Sequence, residues 1–299
     1  MEQMRLLFLL LCLLFCIEGK GQVKEMVILE EGDMGSLWYG SQRMDKFKEL
    51  DRTLLTVTYR MNFIQDTVKR KILVDQMILQ IGKNYSKFYS QRTFLDDMSY
   101  TDFEMGKTVR EEGYGIDGTV YIDWDMIFDL SKRTVTTIHR MPYEDEVSKF
   151  YSEPMPVLQW EYIDGADSVC GYACHVARTC YAGRLWKAYY TMDIPLNFGP
   201  WKLSGLPGLI LKAVDSSGEY EFICEGLSDE SQPIRSYKWR SKSISKENWR
   251  RFERRVHTAP LEALTAGGTR VFRVYDPQTK KSRDLTAEWT VPYNPIERE

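Results

Sequence analysis

Residues 205–225 read Gly-Leu-Pro-Gly-Leu-Ile-Leu-Lys-Ala-Val-Asp-Ser-Ser-Gly-Glu-Tyr-Glu-Phe-Ile-Cys-Glu, and they decide the fold class. Leu209 to Val214 and Glu219 to Glu225 are strand-like runs. Between them lies Asp215-Ser-Ser-Gly218, a hairpin turn. The pattern recurs along the chain. Leu54 to Ile64 and Ile72 to Ile81 flank the turn Asp66 to Lys71, and Thr119 to Asp129 and Thr134 to Met141 flank Ser131 to Arg133. Val157 to Ile163, Gly171 to Tyr181 and Leu185 to Thr191 continue the series. Helical signals are few. Gln91 to Glu112 is polar, whereas Ser245 to His257 has a capping serine and places Trp249, Phe252 and Val256 on one face. Arg250, Arg251, Arg254 and Arg255 lie largely opposite and read as a solvated outer face. The expected fold is mainly β (α+β): a curved antiparallel sheet or open half-barrel with one or two covering helices.

The N-terminus is read separately. After Arg5, Leu6 to Ile17 is an almost unbroken apolar run, followed by Gly19 and Gly21. That layout predicts a signal peptide over residues 1–21 and a single β-rich domain over 22–299. Cys12 or Cys16 would be the acylated residue of a lipoprotein, but Phe15 stands before Cys16 where a small residue belongs. No later run reaches the ~18 apolar residues of a membrane-spanning helix, so the mature chain is expected to carry no transmembrane span. A net charge of −3 and export both argue against nucleic acid as a partner.

The segment Gly199-Pro-Trp-Lys-Leu-Ser-Gly-Leu-Pro-Gly-Leu-Ile210 concentrates backbone control in a stretch without acid or thiol. Pro207 and Gly208 occupy the second and third positions of a four-residue turn. That predicts a type II turn with Gly208 at positive φ. Trp201, Leu203, Leu206 and Leu209 ride along the crossing. They form either a buried plug at one end of the sheet or a rigid rim facing a ligand.

These residues, with others in order, resemble the GLPGLI family of exported Bacteroidetes proteins, a family of unknown function. The resemblance rests on Tyr172, Cys174, Ala177, Gly183, Arg184, Trp186, Tyr190, Thr191, Ile194, Pro195, Gly199, Pro200, Gly205, Leu206, Pro207, Gly208, Leu209, Ile210 and Leu211. Pro156, Trp160 and the terminal Tyr293-Asn-Pro-Ile-Glu297 are similar too. It implies an exported, β-rich protein in the periplasm, at the outer membrane or on the cell surface. It implies no activity. The family pattern supports only Cys174 among the cysteines, so Cys170 and Cys180 are extras.

Four cysteines follow the leader: Cys170, Cys174, Cys180 and Cys224. All are disulfide candidates in an exported protein, and the sequence leaves the pairing open. Cys174 and Cys180 share a strand face about 20 Å apart at ~3.3 Å per residue, too far to bond each other. Cys224 to one of the other three is the favoured link. The Cys170-Cys174-His175 spacing matches no zinc motif, so no metal and no cofactor are expected. Asp123, Asp125 and Asp129 share one face of a strand whose other face is Ile122, Trp124, Met126 and Phe128, which reads as solvent against core. Only three histidines are present, and no nucleophile elbow or phosphate loop appears, so no catalytic residue is assigned. In Leu185 to Thr191 both strand faces carry a ring, which suits an apolar or sugar ligand. The expected function is non-enzymatic: an envelope protein binding an apolar or amphipathic ligand, or a peptide, in the curved sheet. The alternative is an accessory partner of an outer-membrane protein complex. A metal-dependent hydrolase using the acidic strand comes third.

Overall fold

The computed structural model describes residues 25–30, 37, 39–108, 122–266, 270–276, 278–285 and 288–298. The expected leader with Cys12 and Cys16, residues 119–121 of the expected strand Thr119 to Asp129 and residues 109–112 of the first expected helix lie outside the described residues. The chain divides into two compact units, Met1–Leu37 with Glu247–Tyr293, and Trp38–Lys246 with Asn294–Glu299.

In the first unit, strand β1 (Glu25–Glu30) runs parallel to β15 (Arg270–Asp276), which pairs antiparallel with β16 (Lys281–Asp284). Helices α2 (Lys246–Thr258) and α3 (Pro260–Thr265) precede that hairpin. Helix α2 buries Trp249 and Val256 with Phe252 half-buried, the face the apolar spacing predicts, and leaves Arg251, Arg254 and Arg255 exposed. Phe272 packs on Trp289, and His257 Nδ1 lies 2.8 Å from the Pro292 carbonyl.

The second unit is one large sheet. Its strands are β2 (Phe47–Ile64), β3 (Ile72–Gly82), β4 (Tyr85–Ser90), β5 (Trp124–Asp129), β6 (Thr134–Met141), β7 (Glu144–Pro154), β8 (Glu161–Val169), β9 (Tyr172–Tyr181), β10 (Arg184–Thr191), β11 (Leu209–Asp215), β12 (Tyr220–Ser228), β13 (Pro233–Tyr237) and β14 (Ser241–Ser243). The spatial order is β14-β7-β6-β5-β4-β3-β2-β12-β11-β10-β9-β8. The pairs are antiparallel except for the short parallel pair β14–β7, and the path ends openly at β14 and β8. The mainly β expectation therefore holds.

β2 is the axis of this sheet. Val57, Tyr59, Met61 and Phe63 point to the core while Thr56, Thr58, Arg60 and Asn62 alternate away, the period of 2 that a half-buried strand requires. One edge pairs with β3; the other is shared by β12 along Thr56–Phe63 and β13 along Phe47–Arg52. Inward side chains join in one core, through Leu79 and Ile81 of β3, Phe88 of β4, Met126 and Phe128 of β5, Trp186 of β10, Leu211 of β11 and Phe222 of β12.

Among the described residues there are three helices, against one or two expected, and α1 (Gln91–Glu104) alone belongs wholly to the large-sheet unit. Ser90 caps α1, accepting from the Thr93 amide at 3.1 Å. The Ser90 hydroxyl in turn donates to Asp75 of β3 at 3.1 Å. Asp97 and Thr101 of α1 accept from the amides of Gln42 and Met44, which ties residues 41–44 across the helix.

Asp75 is buried, and burial pushes its carboxyl up to about 6 against the pull of Ser90 and the Gln76 amide. The unfolded value is about 3.9. The folded state therefore holds a proton that the unfolded chain releases between about pH 4 and 6. Stability falls as pH rises through that window, by roughly 2–3 kcal/mol in all. Urea denaturation between pH 4 and 8 should show this slope, and Asp75→Asn should flatten it; an unchanged slope in the variant would remove Asp75 as its source.

Candidate functional site

Residues 192–208 cross from β10 to β11 outside the ladder, held by backbone bonds of their own. Gly205 N donates to Asn197 O, Leu209 N to Ile194 O, Ile210 N to Phe198 O and Leu203 N to Pro200 O. The glycines serve different purposes from those expected. Gly208 is not at positive φ, so the predicted type II turn at Leu206–Leu209 does not form; Gly205 takes the left-handed region, at φ +94°. Gly208 is required by contact, because a Cβ there would sit 2.0 Å from the Thr191 carbonyl oxygen. Gly199 is confined too, since a Cβ there would sit 2.6 Å from the Leu203 carbonyl oxygen. Pro195, Pro200 and Pro207 follow trans bonds.

Trp201, Leu203, Leu206, Leu209 and Ile210 are all buried, each contributing about 1.5–3 kcal/mol. Trp201 meets Trp186 of β10 at 5.7 Å. The indole N–H of Trp160, just before β8, donates to the Ser204 carbonyl at 2.9 Å. Beside the segment, Leu79, Phe128, Met155, Phe198, Trp201 and Lys202 line a shallow recess with room for about one water.

Two buried cations flank this crossing. Lys202, fully buried, lies between the carboxylates of Glu153 and Glu297. Lys246 reaches the same two acids at 2.6 and 2.8 Å. Burial opposes the Glu297 charge, but Lys202 and then Lys246 outweigh it and hold the carboxyl at about 2. Arg184 stands beside Trp186 on the core face of β10. Its guanidinium donates to Asp215 (2.5 Å), Glu219 (3.0 Å), Asn294 Oδ1 (2.9 Å), the Pro295 carbonyl (2.8 Å) and the Ile296 carbonyl (2.9 Å). The Tyr220 ring lies 4.6 Å beneath it. Burial opposes both charges, but the Ser217 hydroxyl, the Tyr220 amide and Arg184 hold Asp215, and Arg184, Asn294 and Arg298 hold Glu219, below the usual carboxylate range.

The acidic strand departs from expectation. Asp123 and Asp125 do not face solvent; both are buried, as are Ile122, Trp124 and Met126 on the other face. The flanking strands supply cations. Asp125 accepts from Lys87 of β4 and Arg140 of β6, each at 3.0 Å, and Arg140 reaches Asp97 of α1 at 2.5 Å. Lys87 and Arg140 hold the Asp125 carboxyl below its ordinary value despite its burial. Asp123 pairs with His139 Nδ1 at 2.8 Å, and Tyr151 stacks on that imidazole. Asp129 is split from the other two and closes the β5–β6 turn onto Ser131 and Lys132. Asp123 and Asp125 are matched by buried partners, an arrangement that fixes their charge in place. Among the described residues no group of three His, Cys, Asp or Glu could hold a metal ion.

The four cysteines are free thiols. Cys174 and Cys180 share a face of β9, but only Cys174 is covered. Cys224 is buried on the core face of β12, and Cys170 stands exposed in the β8–β9 turn.

Sequence reading missed Lys87, Arg140, Lys202, Glu153 and Glu219. For Glu219 a signal existed: its partner Arg184 falls in phase with Trp186 and Ala188. A cation in core phase demands a buried acid.

Residues 169–212 match a family described as protein of unknown function (Porph_ging). That stretch holds β9, β10, the glycine-proline crossing and the start of β11. No curated protein matches. Two solved structures of PNGF-II, in P21 and C2 space groups, each align with 68% of the chain at 12% identity and a TM-score of 0.43. The chain spans about a third of their length (33% and 32%).

Two substitutions probe this region. Gly208→Ala should cost about 3 kcal/mol or more, because backbone must move. Gly218→Ala, at φ +64° with open space around it, should cost only about 1–2 kcal/mol. Equal urea midpoints would refute the contact argument. Arg184→Lys keeps the charge but cannot fill five acceptors, so about 3 kcal/mol should be lost. Hydrogen exchange should then accelerate at the Arg298 amide, which donates to Ala182 O.

Proposed function

We propose that the chain is an exported, non-catalytic envelope protein that binds an extended segment of another protein along β8, the open end of a curved sheet. Curvature is supported by the rings of Phe88 on β4 and Phe222 on β12. β3 and β2 lie between these strands, so a flat sheet would separate them by about 14 Å at ~4.8 Å per step. The rings meet at 6.1 Å. The inward face of such a sheet is filled by core side chains, which moves the binding surface from the interior, where the aromatic strands suggested it, to the end.

The carrying observation is β8 itself. Among the described residues it pairs only with β9, its residues before Val169 are exposed apart from the half-buried Ile163, and Tyr162 is 62% exposed. An unpaired edge recruits an extended segment through main-chain hydrogen bonds, with side chains supplying selectivity. The ladder shift between Ile163 and Ala166, with Gly165 at φ +152°, divides the edge into two short runs. Asp164 and Asp167 favour a segment carrying Lys or Arg. The matched acids of β5 support the non-catalytic part of the reading.

Selection of displayed peptides against purified residues 22–299 tests this. Expected are peptides alternating apolar and basic residues that protect β8 amides from hydrogen exchange. Tyr162→Ala should weaken their binding about tenfold. Peptides that protect other strands would overturn the proposal. So would an apolar small molecule co-purifying in native mass spectrometry with no peptide selected.

A further inference from the structure

The connection between β2 and β3 is Gln65-Asp-Thr-Val-Lys-Arg-Lys71. Val68 in its middle is 91% exposed, and the cations that follow it, Lys69, Arg70 and Lys71, are exposed as well. Ile72, at 61%, and Val74, at 44%, extend the apolar surface along one face of β3. Exposed aliphatics scattered singly are ordinary on a protein surface; a group of them joined to a run of like charge asks for a partner.

Backbone bonds hold the loop in this form. The Asp66 carboxylate accepts from the Val68 and Lys69 amides, both at 2.9 Å, and the Asp66 carbonyl accepts from the Arg70 amide at 2.8 Å. Arg70 sits in the left-handed region at φ +52°, which L side chains rarely adopt. Its guanidinium reaches the Ser217 carbonyl in the β11–β12 turn at 3.5 Å. None of these bonds uses the Val68 side chain, so a polar residue in its place would fold as well and be better solvated.

The charge around the loop is mostly of one sign. Asp66 is the only acid between Ile64 and Asp75. It is engaged by those amides, and Lys69 Nζ stands 4.0 Å away. The adjoining turn offers Ser216, Ser217 and Gly218 to solvent, while its acids Asp215 and Glu219 are buried against Arg184.

We propose that this loop docks the protein on a bilayer containing anionic phospholipid, with Val68 and Ile72 entering the headgroup layer and Lys69, Arg70 and Lys71 held by lipid phosphates. A soluble polyanion would need the cations alone. The exposed valine and isoleucine fit a boundary that is charged outside and apolar within. Each Lys or Arg at an anionic surface strengthens attachment about fivefold, so three cations and two aliphatics give a peripheral, reversible contact. The loop joins β2 and β3, strands other than β8, so this docking is independent of the binding role given to β8.

The test sediments purified residues 22–299 with vesicles of phosphatidylglycerol and phosphatidylcholine, or of phosphatidylcholine alone. The expected leader is omitted because its apolar run would bind lipid by itself. Expected is binding to the anionic vesicles that weakens as salt rises, and far less to phosphatidylcholine. Lys69→Gln with Lys71→Gln should weaken it about 25-fold, whereas Lys69→Arg with Lys71→Arg should leave it unchanged. Val68→Ser should weaken it about fivefold. All these positions are exposed, so the urea midpoints of the variants should match the parent. No binding to anionic vesicles, equal binding to phosphatidylcholine, or a glutamine variant that binds like the parent would each overturn the proposal. So would heparin binding that the glutamine variant loses, together with vesicle binding that Val68→Ser leaves unchanged, since the loop would then be a polyanion site.

Discussion

A guanidinium on the core face of a β-sheet needs close acceptors, and Arg184 finds five. Removing water from an ion costs several kcal/mol, which only close, well-directed acceptors offset. Asp215 and Glu219 come from the two ends of the β11–β12 turn. The remaining acceptors come from the terminal stretch Asn294 to Ile296, a hundred residues further on. One side chain therefore joins a strand, a hairpin and the chain's end. Asn294 extends the junction by donating to the Ile64 carbonyl at 2.6 Å, which adds β2, the sheet's axis.

The same terminal stretch supplies Glu297, one of the two acids that neutralise Lys202. Lys202 belongs to the glycine-proline crossing, so two buried cations, Arg184 and Lys202, hold the one terminal stretch. The crossing is rigid for three separate reasons: close backbone approach at Gly199 and Gly208, apolar burial from Trp201 to Ile210, and the pinned lysine. Rigidity of that kind suits a plug within the core, where Trp201 packs at a tilt against Trp186.

The strands of this sheet were legible wherever apolar alternation was strong. Thr134–Met141 was read to the residue, and β3, β9, β10, β11 and β12 to within a few. β4 and β7 were invisible because polar residues dominate them; Lys87 and Glu153 sit in strands for the sake of buried partners, not for apolar packing. β8 was placed too early, over Val157 to Ile163, because apolar residues there precede the actual ladder. The acidic strand misled for a related reason. Alternation separates the two faces of a strand, but it does not say that the polar face is wet. Asp123 and Asp125 are covered because neighbouring strands bring Lys87, His139 and Arg140, partners that no local pattern reveals.

The glycine-proline crossing was recognisable by composition, yet its turn type was misassigned. Pro-Gly at the two central positions signals positive φ only if backbone freedom is the scarce commodity. At Gly208 the scarce commodity is space: Thr191 O occupies the volume a side chain would need. Glycine therefore carries two meanings that a sequence does not distinguish, conformation at Gly205 and proximity at Gly208. The second meaning depends on where another strand ends, so it becomes readable only when β10 and β11 are seen paired, with Thr191 opposite Leu209.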